Sequence, residues 1–215
     1  MSNVVILGSS RGLGAGLVHA VCQSGRTAVG FARKPPKHKS SENFTFVAAD
    51  FAKAEGQESV LRSLAAIEAE AVFCVAGGGP YGLFHERGFK DHLWAWEVSF
   101  LFYARVLHAL ACAQKFPQVI LVGSAVAETQ ADPRAASYAA AKHALHGLYQ
   151  TLRAEYPSWD LRLFSPGYMD TEMLPSNAAV RQKGVYPVEQ IARELWEWSL
   201  SADYGGHKVY PKHPS

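Results

Sequence analysis

Residues 4–7 form the apolar run Val-Val-Ile-Leu, which stops at Gly8-Ser9-Ser10-Arg11-Gly12-Leu13-Gly14 and gives way to a helical pattern over 12–24. Glycines at a strand-to-helix junction let the backbone turn tightly and bring its N–H groups up to a pyrophosphate, which then rests on the helix N-terminus. Gly8, Ser10, Arg11, Gly12, Leu13 and Gly14 are the candidates for that contact. The spacing is G-x-x-x-G-x-G, not the commoner G-x-G-x-x-G. Placement at the first strand–helix junction is what favours a nucleotide over a plain turn.

The rest of the chain repeats this alternation. Short runs rich in β-branched and aromatic residues predict strands over 4–7, 27–32, 44–48, 71–76, 119–122, 161–164 and 208–210. Helical patterns lie between them near 12–24, 53–69, 91–115, 137–155 and 187–202. In the last, Val188, Ile191, Leu195 and Trp198 make one apolar stripe. Such alternation predicts an α/β fold, a parallel sheet covered by helices on both faces. At 215 residues the expectation is a single domain over 1–215. Hydrophobic residues at 48% and charged residues at 19% exclude a disordered chain. The 21 Lys+Arg and 19 Asp+Glu leave a formal charge of +2, which gives no general pull toward nucleic acid or a membrane surface.

Cys22, Cys74 and Cys112 are scattered and read as reduced, mostly buried thiols. The N-terminus shows no basic segment or cleavage site, and no apolar stretch approaches the ~18–20 residues of a membrane span. Lys212-His213-Pro214-Ser215 is no recognisable sorting address. A cytoplasmic protein is expected.

The end of the second strand bears on which dinucleotide would bind. About 20 positions beyond the glycines such sites carry an acidic residue for ribose hydroxyls, or an Arg for a 2′-phosphate. Arg33 holds that place, with no Asp or Glu near it. Arg11 and Lys34 add positive charge for the same phosphate, while Lys37, His38 and Lys39 read as a solvated basic loop. Guanidinium groups match phosphate through a fixed planar fork of donors. NADP(H) is therefore expected over NAD(H).

Further on, Ser124 closes the strand over 119–122, and Tyr138-Ala-Ala-Ala-Lys142 opens a helix. Tyr and Lys at i, i+4 share a helical face. An ammonium beside a phenol is expected to draw the tyrosine pKa down toward the working range. Ser124 would then bind a substrate oxygen while Tyr138 gives or takes its proton.

With these residues together, the chain resembles the short-chain dehydrogenase/reductase family. The resemblance runs from Gly8-x-x-x-Gly12-x-Gly14 through Ser124 and Tyr138-x-x-x-Lys142 to Pro166-Gly167-Tyr168-Met169-Asp170-Thr171. It implies a Rossmann-type doubly wound parallel sheet in three α/β/α layers, a nicotinamide cofactor, a small carbonyl or alcohol substrate, and homodimers or homotetramers built through the long helices near 91–115 and 137–155. It assigns Ser124, Tyr138 and Lys142 to catalysis, with Lys142 also on the nicotinamide ribose. Thr171 inherits a contact with the carboxamide, and Asp50 matches a position that contacts adenine. Phe51, Ala76, Gly77, Pro166, Gly167 and Met169 complete the expected cofactor contacts.

The chain also departs from the family pattern. Leu7 stands where a Thr is usual, and Cys74-Val75-Ala76-Gly77 replaces Asn-Asn-Ala-Gly. Apolar packing between Leu7 and Val75 is expected to replace the lost polar tie. Ser99 stands at or beside the family's catalytic Asn, which puts the proton relay through a water in question.

Three weaker signals remain. His143 and His146 lie at i, i+3, but no third ligand has suitable spacing, so no metal site is expected. Trp94/Trp96 and Trp196/Trp198 cannot share one helix face within each pair; core and rim places are expected first. Gly77-Gly78-Gly79-Pro80-Tyr81-Gly82 passes near the cofactor or simply turns, with Tyr81 a wall of the substrate pocket. Two other functions stay open: a nucleotide-binding regulatory or scaffold protein with little turnover, and an epimerase or dehydratase. Only residues 172–186 separate the Thr171 segment from the last helix, so a short substrate loop and an open site are expected. The tail after Tyr210 is too short for a dimer arm.

Overall fold

The computed structural model describes residues 3–37, 41–128 and 132–214. Seven strands form one parallel sheet in the order β3-β2-β1-β4-β5-β6-β7. They are β1 Asn3–Leu7, β2 Thr27–Ala32, β3 Phe44–Ala48, β4 Ala69–Cys74, β5 Gln118–Val122, β6 Leu161–Ser165 and β7 His207–Val209. Helices α1 Gly12–Gln23, α2 Ala54–Ala66, α3 Phe89–Trp96, α4 Phe102–Cys112, α5 Ala136–Glu155 and α6 Val188–Ser199 alternate with them.

Side-chain alternation along the strands builds two cores. Val5, Leu7, Val29, Phe31, Val72, Cys74, Val119 and Leu121 point to one face, where α2, α4 and α5 bring Val60, Leu64, Phe102, Tyr103, Val106 and Leu145. Val4, Ile6, Ala28, Phe73, Ile120 and Phe164 point to the other, covered by Leu13, Leu17 and Val21 of α1 and Ile191, Leu195 and Trp196 of α6. A strand buried on both faces reads as a continuous apolar run, as 4–7 and 119–122 do.

Trp196 is the buried tryptophan of α6 and meets Phe73, while Trp198 packs half-buried on the same core, against Phe164 and the buried Arg162 guanidinium. Several expectations need correcting. Leu7 and Val75 do not pack together, because they face opposite cores. The tie between β1 and the end of β4 is made by backbone: Val75 and Ala76 N–H both donate to Leu7 O, at 3.0 and 2.8 Å. This doubled bond also takes the chain out of the ladder after Cys74, two residues before the expected strand end. The single helix expected over 91–115 is interrupted by a π turn at Glu97–Leu101. Of the cysteines only Cys74 is buried; Cys112 is exposed.

The sheet order reverses between β1 and β4. Chains leaving neighbouring strands in opposite directions open a crevice at the carboxyl ends of the strands, where ligands of such sheets bind.

Candidate active site

That crevice is a cavity of about 1260 Å³. Every residue assigned above to the cofactor or to catalysis except Lys34 lines it, from Gly8 and Arg33 to Ser124, Lys142 and Thr171. A cavity for a drug-sized ligand runs to roughly 300–1,000 Å³, so this one has room for a dinucleotide with a small second molecule.

At its floor, Gly8 (φ +109°) and Gly12 (φ +51°) take backbone conformations that L side chains rarely adopt. A Cβ on Gly8 would lie 2.6 Å from Ala76 N, so the turn is pressed against the end of β4. No side chain caps the N-terminus of α1, and its first turn carries no acid. The N–H groups there are left for an anion in the cavity.

The cationic rim differs from expectation. Arg33, exposed just after β2, and Arg11 line the cavity, but the third cation there is Lys37 and not Lys34. Lys37 is solvated, as the sequence suggests, with its side chain 84% exposed; His38 and Lys39 lie outside the described residues. Glu172 bridges Lys37 and Arg11, each at 3.2 Å, and the two cations hold its carboxyl below the usual range, Lys37 first. The segment 172–186 is anchored. Besides the Glu172 bridge, Arg181 donates to Asp170 Oδ1 at 2.7 Å and to the carbonyls of Leu174, Pro175 and Thr171 at 2.8, 3.0 and 3.1 Å. The tail folds back beneath it, with Lys212 O accepting from Tyr168 N–H at 2.8 Å.

The reactive end gathers three side chains. Ser124 caps the short 3-10 turn Ala125–Ala127 after β5, and α5 presents Tyr138 and Lys142 one turn apart. The run Gly77-Gly78-Gly79 threads between α3 and α5: a Cβ on Gly79 would reach within 2.9 Å of Tyr138 Cβ, and one on Gly78 within 2.7 Å of the Trp94 ring. Close approach to the Trp94 and Tyr138 side chains therefore requires glycine at positions 78 and 79.

Lys142 is buried, and its ammonium donates to Val122 O at 2.6 Å while standing 5.7 Å from the Tyr138 ring centroid. Loss of hydration pulls its pKa down to about 8. The expected lowering of the Tyr138 pKa is not found. Burial pushes the phenol up, and a hydrogen bond with Ser124 offsets only part of that. The reason is geometric: the ammonium is directed to a backbone carbonyl, and desolvation of the phenol dominates.

Ser99 sits inside the π turn, fully buried, donating to Gly78 O and accepting from Gly78 N–H, both at 3.0 Å. It does not line the cavity. Its hydroxyl is committed to holding the glycine run, a role its shortness suits.

Tyr81, Tyr168 and, from the 172–186 segment, Met173 and Leu174 line the cavity; so does Trp94, for which the sequence suggested only a core or rim place. The Tyr168 hydroxyl donates to Asp132; burial first, and then that carboxylate, raise its pKa. His92 was also missed: buried on α3, it meets Ser137 Oγ at 2.6 Å and so braces the residue before Tyr138.

A family model described as short chain dehydrogenase matches residues 2–182. The chain belongs to the short-chain dehydrogenase family. Hydroxysteroid 11-beta-dehydrogenase 1-like protein B of Xenopus laevis is 27% identical to this family member over 188 residues, 79% of the chain. The chain spans 64% of the length of that curated relative. Among solved structures, a 4-hydroxyisoleucine dehydrogenase complexed with NADH superposes with a TM-score of 0.84 at 15% identity, over 99% of this chain and 98% of that one. A short-chain dehydrogenase from Burkholderia cenocepacia J2315 in complex with NADP gives 0.81 at 18% identity, over 99% and 97%. At these identities the likeness is one of fold.

Proposed function

We propose that the chain moves a hydride between NADP(H) and a carbonyl or alcohol carbon of a small substrate. The observation that carries this is the convergence of Ser124, Tyr138 and Lys142 in one cavity with an uncapped, glycine-built helix N-terminus. The fit is good: bare N–H groups for a pyrophosphate, cations at the adenosine end, and a buried acid at the other. Gly8, Ser10, Gly12, Leu13 and Gly14 would hold the pyrophosphate. Asp50 and Phe51 would take the adenine, and Ala76, Gly77, Pro166, Gly167, Met169 and Thr171 the nicotinamide half. Bound NADPH supplies the hydride. Tyr138, protonated because of its burial, donates its proton to the substrate oxygen, which Ser124 orients. Lys142 holds the tyrosine's surroundings positive as the phenolate forms. A homodimer or homotetramer agrees with the exposed Phe89, Leu93 and Leu101 along α3 and its π turn.

One structural relative is complexed with NADH and another with NADP, so the choice rests on the side chains beyond β2. A 2′-phosphate would meet Arg33 and take the place of the Glu172 carboxylate between Arg11 and Lys37. Replacing Arg33 with Ala is expected to weaken NADPH about tenfold, the low end for charge-assisted hydrogen bonds at an exposed site, and to leave NADH nearly unchanged. Cofactor-fluorescence titrations measure both. Equal affinities for the two cofactors in the parent chain would overturn the preference. NADPH oxidation across a panel of aldehydes and ketones tests the reaction itself; tight binding with no turnover would favour a regulatory protein.

The lysine gives a pH signature. Below pH about 8 Lys142 carries its charge, and above it the charge is lost. Tyr138 stays protonated through this range, so for carbonyl reduction kcat/KM should be flat below pH about 8 and fall about tenfold per unit above it. Lys142→Arg, which does not deprotonate, should lose that limb even at reduced rate. A limb unchanged in Lys142→Arg would assign it to another group.

A further inference from the structure

Behind the catalytic residues, and outside the cavity, three side chains far apart in sequence converge. Glu128 ends the turn that Ser124 caps, His146 lies on α5 one turn beyond Lys142, and His207 opens the edge strand β7. His146 Nδ1 is 3.2 Å from Glu128 Oε2, and His207 Nε2 is 2.9 Å from Glu128 Oε1. One ligand atom from each residue lies within 4.8 Å of the other two. We propose that Glu128, His146 and His207 form a binding site for a divalent transition ion, with Zn²⁺ as the best match.

The donor set and its spacing support this. Two imidazoles and one carboxylate are a three-ligand zinc set, with bonds of about 2.0–2.2 Å. Tetrahedral bonds of that length put neighbouring ligand atoms roughly 3.4 Å apart; the observed 3.2 and 2.9 Å run to the two different carboxylate oxygens, so Glu128 would present one oxygen toward each imidazole. The edge between the imidazoles needs a small closing of the two rings, which already stand with centroids 4.8 Å apart. The carboxylate is 8% exposed while the imidazoles are 21% and 25% exposed. The anion is thus set inside and the neutral ligands at the mouth, with a fourth position open to water. Ser165 Oγ donates to Glu128 Oε1 at 2.7 Å and fixes the carboxylate from behind, as outer partners of metal ligands do. Tyr149, with its hydroxyl held by Gly205 O, packs on both rings.

Each imidazole would meet the ion through the nitrogen that now faces the carboxylate, Nδ1 of His146 and Nε2 of His207, and carry its N–H on the other ring nitrogen. The ion would clamp a three-residue edge strand to the helix carrying Tyr138 and Lys142, and to the turn carrying Ser124. His143 takes no part; its Nδ1 meets Ala139 O at 2.8 Å.

The test is calorimetric titration of the chelator-treated full chain with ZnCl₂, beside His207→Ala and Glu128→Gln. The parent chain should bind one tight equivalent and gain about 5–10 °C in Tm at 100-fold excess over Kd. Loss of an outer partner costs metal sites 10–100-fold, so loss of a direct ligand should cost about 100-fold or more. NADPH affinity, read on the same samples, should be unchanged and so report intact folding. Absence of a tight equivalent in the parent chain would overturn the proposal, as would equal Zn²⁺ affinity in parent and variants. In either case the cluster is a hydrogen-bonded His–Glu–His group only.

Discussion

Replacing Tyr138 with Phe is expected to lower kcat by about three orders of magnitude, within the span a positioned general acid supplies, with NADPH affinity changed by less than about threefold. Only the phenolic oxygen is removed. The ring keeps its place against Gly79 and its distance from Lys142, so fold and cavity shape persist. The raised pKa keeps Tyr138 protonated at neutral pH, so it holds the proton that the proposed reduction needs. In the variant a developing alkoxide would meet only the Ser124 hydroxyl, a much weaker acid. Stopped-flow NADPH oxidation and a fluorescence titration on one preparation separate the two effects. Full turnover with intact binding would remove Tyr138 from the mechanism and leave the fold assignment untouched.

The residues whose roles depend on neighbours along the chain were the legible ones. The glycine turn, the strand-end serine and the i, i+4 pair of Tyr138 and Lys142 are local patterns, and the doubly wound sheet brings their three segments to one edge by its topology. Residues whose roles depend on tertiary placement were not legible. Lys34 and Lys37 are both exposed lysines in the same loop, and only the folded path sends Lys37 to Glu172. Trp196 and Trp198 compete for one buried place, settled by Phe73 across the sheet surface. The sign of the Tyr138 shift depends on where the Lys142 ammonium points, and spacing along a helix cannot say. Glu128 and His207 are drawn to His146 by a sheet edge and a turn that share no motif.

The glycine turn allows the sharpest contrast of all, because one substitution should have opposite effects at two positions. In Gly14→Ala the new Cβ would overlap the carbonyl oxygen of Gly8 and stand 2.8 Å from its carbon. Backbone closes that space, so no rotamer change relieves it and the turn itself must open. The expected cost is about 3 kcal/mol or more, at the upper end for overpacking because no side chain can yield. The same opening moves the first N–H groups of α1 away from a pyrophosphate, so NADPH affinity should fall by about 100-fold or more. Gly147→Ala lies exposed on α5 with no atom within 4 Å of its new Cβ, and should stabilise by about 0.5–1 kcal/mol through lower chain entropy before folding. Urea unfolding of both variants reads the stabilities, and a cofactor titration reads the binding. If Gly14→Ala folded and bound NADPH like its parent, the turn would have slack that the packing against Gly8 denies, and the cradle would have to be placed elsewhere in the crevice.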